Sequence, residues 1–351
     1  MKAHAGEMRD KMTLSEFLSE WHSSDPRLLV HTSGSTGSPQ PLWVEKRRME
    51  TSARITCRFL GLKAGDTALL CLPLDYIAGK MMVVRALVAG LRLISVSPSG
   101  HPLSSFGSEE TDSLDFAAMV PLQVWNSLQV PEERDRLMRI RHLIIGGGAI
   151  DDDLARELRS FPHAVYSTYG MTETLSHIAL RRLSGNEASE WYTPFDGVSL
   201  AADDEGCLVI DAPEVCAERL VTHDIVAFHS DGRRFRILGR SDNVICSGGI
   251  KIQAEEVERL LRPYILCPFY ITKTPDARLG EVVTLVVERP FSDQDLQVLQ
   301  HLHLQTNRIL LPRRIVWVDH LPMTETGKPR RNAPLPDHAV IEEINYPSNN
   351  K

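Results

Sequence analysis

Apolar residues follow two patterns along the first half of the chain, one with helical spacing and one of short unbroken runs. In residues 13–21, Thr13 and Glu16 have the spacing of a capping box, and the apolar residues after them share one helical face. Further helices are predicted at residues 46–60, 79–89 and 151–160, and strands at Arg27–Thr32, Ala68–Leu72, Leu91–Val96, Arg141–Ile145 and Ala164–Thr168. This alternation predicts a mostly parallel sheet, in which ligands bind at loops beyond the carboxyl ends of the strands.

The pattern changes after about residue 195. Gly206–Ile210 and Arg234–Leu238 are short apolar runs around polar turns, which predicts an antiparallel region. A polar break at residues 239–243 precedes further elements, with helices predicted at 254–261 and 293–303 and strands at 271–272, 282–287 and 314–318. We expect a second, smaller α+β unit there and a poorly ordered tail after Pro334.

Composition restricts the class of protein without identifying it. The 351 residues are 42% hydrophobic and 24% charged with a net charge of −7, which argues against nucleic acid or membrane surfaces as partners. Residues 1–11 lack the apolar core of a signal peptide, so none is expected. The six cysteines form no C-x-x-C pair and no zinc-type cluster, which favours reduced thiols in a cytoplasmic protein.

Two loops are rich in hydroxyl groups and glycine. Residues 32–39, Thr-Ser-Gly-Ser-Thr-Gly-Ser-Pro, offer hydroxyls and backbone N–H groups to a polyphosphate, although a flexible surface loop has the same composition. Residues 167–174 follow a predicted strand and include Tyr169, a face for stacking a base, and Glu173, an oxygen ligand suited to Mg²⁺. The alternative for the second loop is a strand-to-helix turn whose Thr and Glu lie near a helix N-terminus.

Two later segments carry charged residues in turns. Asp224, in Thr-His-Asp, is suited to accept hydrogen bonds from ribose hydroxyls, and Arg240 is suited to bind ribose or phosphate. In residues 322–330, turn residues place Lys328 where it can neutralise charge that develops on a carboxylate and an α-phosphate. Taken singly, these residues are more simply explained as a turn acid, a surface arginine and a solvated basic stretch.

The four motifs occur together and in order, and the chain thereby resembles the adenylate-forming superfamily of acyl-CoA synthetases, peptide-synthetase adenylation domains and luciferases. The resemblance extends from about Leu28 to Arg331. It implies a large N-terminal α/β domain with mixed sheets, residues 1–240, and a small mobile C-terminal α+β domain, residues 241–351, with a hinge near Asp242. It also implies ATP, Mg²⁺ and the co-substrate CoA.

The resemblance assigns a role to each matching position. The residues implied to bind ATP are Thr32, Ser33, Gly34, Ser35, Thr36, Gly37, Gly147, Tyr169, Gly170, Asp224 and Arg240. Lys328, Thr172 and Glu173 are implied to be catalytic, with Glu173 the Mg²⁺ ligand. Tyr76, Arg85, Gly146 and Gly148 are implied to line the acid pocket, and Ser247, Gly248 and Gly249 the path of CoA.

Three features depart from the family pattern. The first loop has Gln40 where the family usually has lysine, and His223 replaces the glycine of the Thr-Gly-Asp motif. Only 31 residues precede Thr32, whereas family members usually carry a much longer stretch there. A shortened N-terminal region is therefore expected, and a homo-oligomer could cover the face that it leaves open.

The segment from Leu72 to Arg85 resembles o-succinylbenzoate–CoA ligases of menaquinone biosynthesis. Arg85 follows Gly79 by six residues in an apolar predicted helix, and in those ligases an arginine at this place helps to hold the carboxylate that is not activated. A buried arginine requires an anionic partner, which is either this substrate or an acidic residue of the protein.

We therefore expect an AMP-forming acid–thiol ligase that converts o-succinylbenzoate into its CoA thioester through an acyl-adenylate. The alternatives are another aryl- or acyl-CoA ligase, a stand-alone adenylation enzyme that loads a carrier protein, and a non-catalytic nucleotide-binding subunit.

Overall fold

The chain forms two compact units in a computed structural model. The structure describes residues 11–31, 40–106, 114–288, 293–302, 306–323, 329–331, 334, 339–344 and 346, and the side chains of residues 293–296 and 340 fall outside this description. The first unit comprises Met1–Leu200, Ile210–Leu220 and His229–Arg234, and the second comprises Ala201–Val209, Val221–Phe228 and Phe235–Lys351. The domain boundary at residue 240 and the hinge at Asp242 stay predictions.

The first unit contains the mostly parallel sheet that the strand–helix alternation predicts. Its elements are α1 (Leu14–Trp21), β1 (Arg27–His31), β2 (Pro41–Glu45), α2 (Lys46–Leu60), β3 (Thr67–Leu70), α3 (Ile77–Ala89), β4 (Arg92–Ser95), β5 (Phe116–Met119), α4 (Pro121–Gln129), α5 (Pro131–Arg139), β6 (His142–Ile145), α6 (Asp152–Leu158), β7 (Ala164–Gly170), β8 (His177–Arg182) and β9 (Thr193–Pro194). The strands of the large sheet lie in the order β4-β3-β5-β6-β7-β8-β9. Pairing is parallel from β4 to β7 and antiparallel from β7 to β9.

The apolar runs explain why this sheet forms the core of the first unit. Every residue of β3 and β5 is buried, as expected for strands of a parallel sheet that is covered on both faces. Helix α1 begins as predicted, since Thr13 and Glu16 form the complete capping box. Strands β1 and β2 form a separate antiparallel hairpin in which His31 lies opposite Pro41.

The second unit is mainly antiparallel. Its elements, three of which (β10, β11 and β12) have residues in both units, are β10 (Ser199–Ala202), β11 (Cys207–Asp211), β12 (Leu220–Phe228), β13 (Phe235–Arg240), a 3₁₀ turn (Ser241–Asn243), β14 (Val244–Ser247), β15 (Ile250–Gln253), α7 (Ala254–Leu261), β16 (Phe269–Asp276), β17 (Gly280–Glu288), α8 (Asp293–Leu302), a 3₁₀ turn (Arg308–Leu310), β18 (Arg314–Val318) and β19 (Val340–Glu343). Strands β10–β13 form one sheet in chain order, and β15-β14-β17-β18-β19 form another in which β16 also pairs with β17. An α/β fold with mixed sheets is confirmed.

Two sequence-based expectations are wrong. The tail after Pro334 contains β19, which pairs antiparallel with β18. Ile341 in this edge strand is 54% exposed, so the strand lacks a clear apolar pattern and is specified by its partner's backbone. The strand-to-helix alternative for residues 167–174 is also wrong, because β7 continues to Gly170 and the next element is the antiparallel strand β8.

Other features of the chain agree with the composition. All six cysteines are free, and four of them are buried. Within the described residues, no helix combines the length and the apolarity that crossing a membrane requires.

Candidate active site

Two of the predicted motifs lie largely outside the described residues. The predicted site residues outside the description are Lys328 and, in the sequence between β1 and β2, Thr32, Ser33, Gly34, Ser35, Thr36 and Gly37. The flanks of the Lys328 segment are described: Met323 and Pro329 form an antiparallel bridge, and the Arg330 N–H donates to the Pro322 carbonyl at 2.7 Å. The roles of these seven residues stay predictions.

The predicted glycine segment lies at the carboxyl end of β6. Gly146 is adjacent to Thr168 of β7, and a Cβ atom at Gly146 would overlap the Thr168 Oγ1. Gly147 has a φ of 78°, in the left-handed region that favours glycine, and Gly148 packs near Pro121. The segment therefore needs glycine for close backbone approach, which also suits a ligand surface.

Tyr169 and Gly170 form the end of β7. The Tyr169 ring is 6% exposed and packs edge-on against Tyr192 with centroids 6.0 Å apart. Gly170 lies so close to the backbone of Ser176 and His177 that a Cβ atom would overlap both residues. These contacts close the β7–β8 connection into a tight loop.

The connecting loop, residues 171–176, presents the predicted catalytic pair. Thr172 is buried, whereas Glu173 is exposed. The fully buried Thr174 fixes the loop, because its Oγ1 accepts from the Met171 N–H at 3.0 Å and donates to the Ser176 carbonyl at 2.7 Å. Leu175 has a φ of 65°, an unfavourable left-handed conformation for a leucine that the surrounding contacts hold in place.

The predicted ribose and hinge residues meet within the second unit. Asp224 of β12 lies opposite Arg240 of β13, and Arg240 Nη1 lies 3.2 Å from Asp224 Oδ1. Arg240 also donates from Nε and Nη2 to the two oxygens of Asp242, at 2.9 and 2.8 Å. His223 is exposed and lies 3.2 Å from the Ser241 hydroxyl, so it leaves this cluster intact.

Charge pairing sets the protonation of this cluster. The hydrogen bond to Asp242 and the nearby carboxylates raise the pKa of Arg240 despite its partial burial. Partial burial acts to raise the pKa of Asp242, but the hydrogen bond and the charge of Arg240 outweigh it and lower that pKa overall. The cluster therefore holds one cation between two carboxylates, which suits hydroxyl donors better than a phosphate.

The predicted CoA segment is a two-residue turn between β14 and β15. Gly248 and Gly249 have φ values of 58° and 84°, the conformation of a type I′ hairpin turn. Ser247 is buried opposite Gly280, and the Gly248 N–H donates to the Leu279 carbonyl at 2.9 Å.

Of the predicted acid-pocket residues, Tyr76 and Arg85 belong to α3 and its N-terminal cap, whereas Gly146 and Gly148 follow β6. Tyr76 is the half-buried N-cap of this helix, and Gly79 approaches the Pro73 carbonyl too closely for any Cβ atom. Arg85 is 2% exposed, and burial lowers its pKa to about 10, so it remains a cation at neutral pH.

Within the described part of the chain, no carboxylate forms an ion pair with Arg85. Its Nη2 donates to the Ser176 hydroxyl, its Nη1 lies 3.8 Å from the Met82 sulfur, and its buried Nε has no hydrogen-bond partner. A buried cation with this little compensation is costly, which makes Arg85 a candidate for binding an anion.

Sequence reasoning missed the residues behind Arg85. His177 is buried, with Nδ1 at 3.2 Å from the Ser176 Oγ and Nε2 at 3.0 Å from the Thr56 Oγ1. The only local signal was a polar Ser-His pair at the start of an apolar strand, and Thr56 is 121 positions from His177.

The described residues contain no group of three or more His, Cys, Asp or Glu side chains that could enclose a metal. One exposed carboxylate, Glu173, nevertheless fits Mg²⁺, which is commonly held by one or two carboxylates together with substrate phosphates.

Comparisons with known proteins show which proteins the chain resembles. A family profile described as AMP-binding enzyme matches residues 3–212. The chain is 26% identical to a 2-succinylbenzoate–CoA ligase of Listeria monocytogenes over 90% of this chain and 71% of the relative. It is also 26% identical to an indoleacetate–CoA ligase of Aromatoleum aromaticum, over 88% of this chain and 66% of the relative.

A solved structure has a similar fold and a similar extent. It is an acyl-CoA synthetase (AMP-forming)/AMP-acid ligase II-like protein from Dyadobacter fermentans, with 33% identity and a TM-score of 0.61. The match covers 90% of each chain.

Proposed function

This chain belongs to the AMP-binding enzyme family, in the class of AMP-forming acid–CoA ligases, and we propose that the acid it activates is o-succinylbenzoate. The reaction joins the succinyl carboxylate to AMP with release of pyrophosphate and then transfers the acyl group to CoA with release of AMP. The product is an intermediate of menaquinone biosynthesis.

Arg85 is the observation that carries the proposed substrate. o-Succinylbenzoate has two carboxylates, one of which is not activated and remains anionic throughout the reaction. A buried guanidinium with an unpartnered Nε and no ion pair among the described residues matches this second carboxylate. From the sequence alone, an acidic side chain of the protein was an equally good partner for Arg85. Among the described residues, no acidic side chain forms an ion pair with Arg85.

For the first half-reaction, we assign charge stabilisation to the loop of residues 171–176 and to Lys328. Thr172 contacts the α-phosphate, and Lys328 neutralises the charge that develops as the carboxylate oxygen attacks phosphorus. Glu173 would hold Mg²⁺, which neutralises phosphate charge when bound. Asp224 and Arg240 bind the ribose hydroxyls, and Tyr169 with Gly146–Gly148 borders the adenine and the acid.

For the second half-reaction, we assign the path of the CoA thiol to Ser247, Gly248 and Gly249. The thiol sulfur attacks the acyl carbon, the bond from that carbon to the AMP oxygen breaks, and the thiol proton is released. We propose that the C-terminal domain rotates about Asp242 between the two steps. The rotation withdraws Lys328 and brings this segment to the acyl-adenylate.

Carboxylate-dependent ATP–pyrophosphate exchange without CoA tests the proposal. We expect exchange with o-succinylbenzoate, followed by CoA-dependent release of AMP. Exchange with another acid only would refute the substrate and retain the class of reaction. Nucleotide binding without exchange for any acid would favour a non-catalytic subunit.

The indoleacetate–CoA ligase supports a second candidate, because it is as similar to this chain as the succinylbenzoate ligase. Indoleacetate has one carboxylate, so activating it leaves no anion for Arg85. Including indoleacetate in the exchange assay, and comparing free CoA with a phosphopantetheine-bearing carrier protein in the second step, separates these ligases.

A further inference from the structure

A hydrogen-bond chain behind Arg85 crosses three elements of the first unit. From α2, Thr56 Oγ1 lies 3.0 Å from His177 Nε2 of β8. The other ring nitrogen, His177 Nδ1, lies 3.2 Å from Ser176 Oγ, which accepts from Arg85 Nη2 of α3. Thr56, His177 and Arg85 are 0%, 8% and 2% exposed, so water cannot readily replace these contacts.

Thr56, at one end of this series of hydrogen bonds, sets their direction. Thr56 Oγ1 donates its proton to the Ser52 carbonyl at 3.2 Å, one turn earlier in α2. With that proton engaged, the Thr56 oxygen accepts from His177, which assigns a proton to Nε2. In the neutral ring, Nδ1 is then an acceptor and takes the Ser176 hydroxyl proton. The Ser176 lone pairs are left to face Arg85.

The surroundings favour the neutral ring. Burial, together with the positive charge of Arg85, holds the pKa of His177 well below its usual value. A second ring proton, on Nδ1, would make the ring a donor toward Ser176 as well and would place two cations in one buried region. The neutral Nε2–H form satisfies every hydrogen bond of the series that links Thr56, His177, Ser176 and Arg85.

We propose that His177 is a positioning residue for acid recognition, which orients Arg85 through the Ser176 hydroxyl toward the carboxylate that is not activated. This inference rests on the proposed function and deepens it. His177 touches no substrate, and its effect reaches the acid only through Ser176 and Arg85.

The test uses two acids that differ only in the second carboxylate. 4-Oxo-4-phenylbutanoate has the succinyl carboxylate of o-succinylbenzoate and lacks the aromatic one. In pyrophosphate exchange, His177→Leu should lower the kcat/KM preference for o-succinylbenzoate by about tenfold or more, with KM for ATP unchanged. His177→Asn, whose amide oxygen can accept near the position of Nδ1, should restore much of the preference.

His101→Asn is the matched control. His101 also forms a hydrogen bond through Nδ1, but to Glu133 at 2.9 Å, and we expect this variant to keep the full preference. A His177→Leu enzyme that folds and discriminates as well as the unsubstituted enzyme would overturn the inference. An unsubstituted enzyme that activates neither acid would instead refute the proposed function.

A second measurement needs no substrate. Nitrogen-15 NMR of the histidine rings in the intact chain should show His177 as the neutral Nε2–H tautomer throughout about pH 6 to 8, a range in which an ordinary histidine changes its charge. The His177 signals are those that Ser176→Ala shifts most. A proton on Nδ1 in this range would overturn the inference.

Discussion

Replacing Arg85 with methionine should stabilise the apo-protein and remove its preference for a dicarboxylate. Methionine has a similar length and no charge, and it suits the apolar side chains that surround this position of α3. Replacing buried ionic groups with apolar residues of similar volume is often stabilising. A residue that destabilises the empty protein and is retained for binding is the expected pattern for a functional site.

The size of the effect follows from the protonation of Arg85. Burial lowers its pKa from the ordinary arginine value to about 10, and a shift of about two pH units or more corresponds to about 3 kcal/mol. Both the lowered and the ordinary pKa exceed 7, so the whole cost is present at neutral pH and is lost only as pH rises above about 10. Loss of the hydrogen bond to the half-buried Ser176 offsets about 1–2 kcal/mol of the gain.

The net stabilisation of about 1–2 kcal/mol should raise the melting temperature of Arg85→Met by about 2–8 °C. Arg85→Lys is the control, because it keeps the buried cation and should not melt higher than the unsubstituted chain. o-Succinylbenzoate should raise the melting temperature of the unsubstituted chain and leave that of Arg85→Met unchanged. A lower melting temperature for Arg85→Met would refute the reasoning, since it would mean that the protein itself compensates the charge.

Three further predictions concern the other site segments. Gly146→Ala should destabilise the first unit by about 1–3 kcal/mol in thermal melting, because the added methyl group overlaps the Thr168 Oγ1. Asp224→Asn should raise the KM for ATP by about tenfold or more and leave the KM for the acid unchanged, because the amide loses the charge that Arg240 and the ribose hydroxyls share. Lys328→Ala should slow pyrophosphate exchange by about a hundredfold and largely spare thioester formation from preformed acyl-adenylate.

The chain offers a matched control variant for each of the first two of these predictions. Gly100→Ala adds a methyl group that meets only the Asn126 side-chain amide at 2.9 Å, at the end of a side chain that can move, so its melting temperature should change little. His223→Ala alters the exposed neighbour of Asp224 and should leave the KM for ATP unchanged. Equal effects of Gly146→Ala and Gly100→Ala, or of Asp224→Asn and His223→Ala, would contradict these assignments. Equal loss of both half-reactions in Lys328→Ala would remove its specific role in adenylation.

The elements that the sequence predicted well are those whose pattern is local. The amphipathic spacing of residues 254–261 predicts a helix with the bounds that α7 has, and the capping box marks the start of α1. Strand β19 was missed because an edge strand of four residues with an exposed Ile341 takes its conformation from pairing with β18. Local pattern cannot specify such a strand.

The same distinction applies to the candidate site. The apolar helix around Arg85 predicted a buried guanidinium in need of an anion, and the structure confirms the burial. The sequence could not identify Ser176 as its hydrogen-bond partner, because the two residues are 91 positions apart and only the packing of α3 against the β7–β8 connection brings them together. His177 was missed for the same reason.

The loop of residues 171–176 connects two functions that the sequence presented as separate. Thr172, the predicted α-phosphate contact, lies at one end, and Ser176, the partner of Arg85, lies at the other. Thr174 and the left-handed Leu175 hold the two ends in one conformation, since the buried Thr174 hydroxyl is bonded to backbone on both sides. Under the proposed roles, an acid that is wrongly seated at Arg85 would disturb the same loop that is proposed to contact the nucleotide. We expect poor acids to lose adenylation rate as well as affinity, because correct seating of the second carboxylate is part of what aligns the α-phosphate contact.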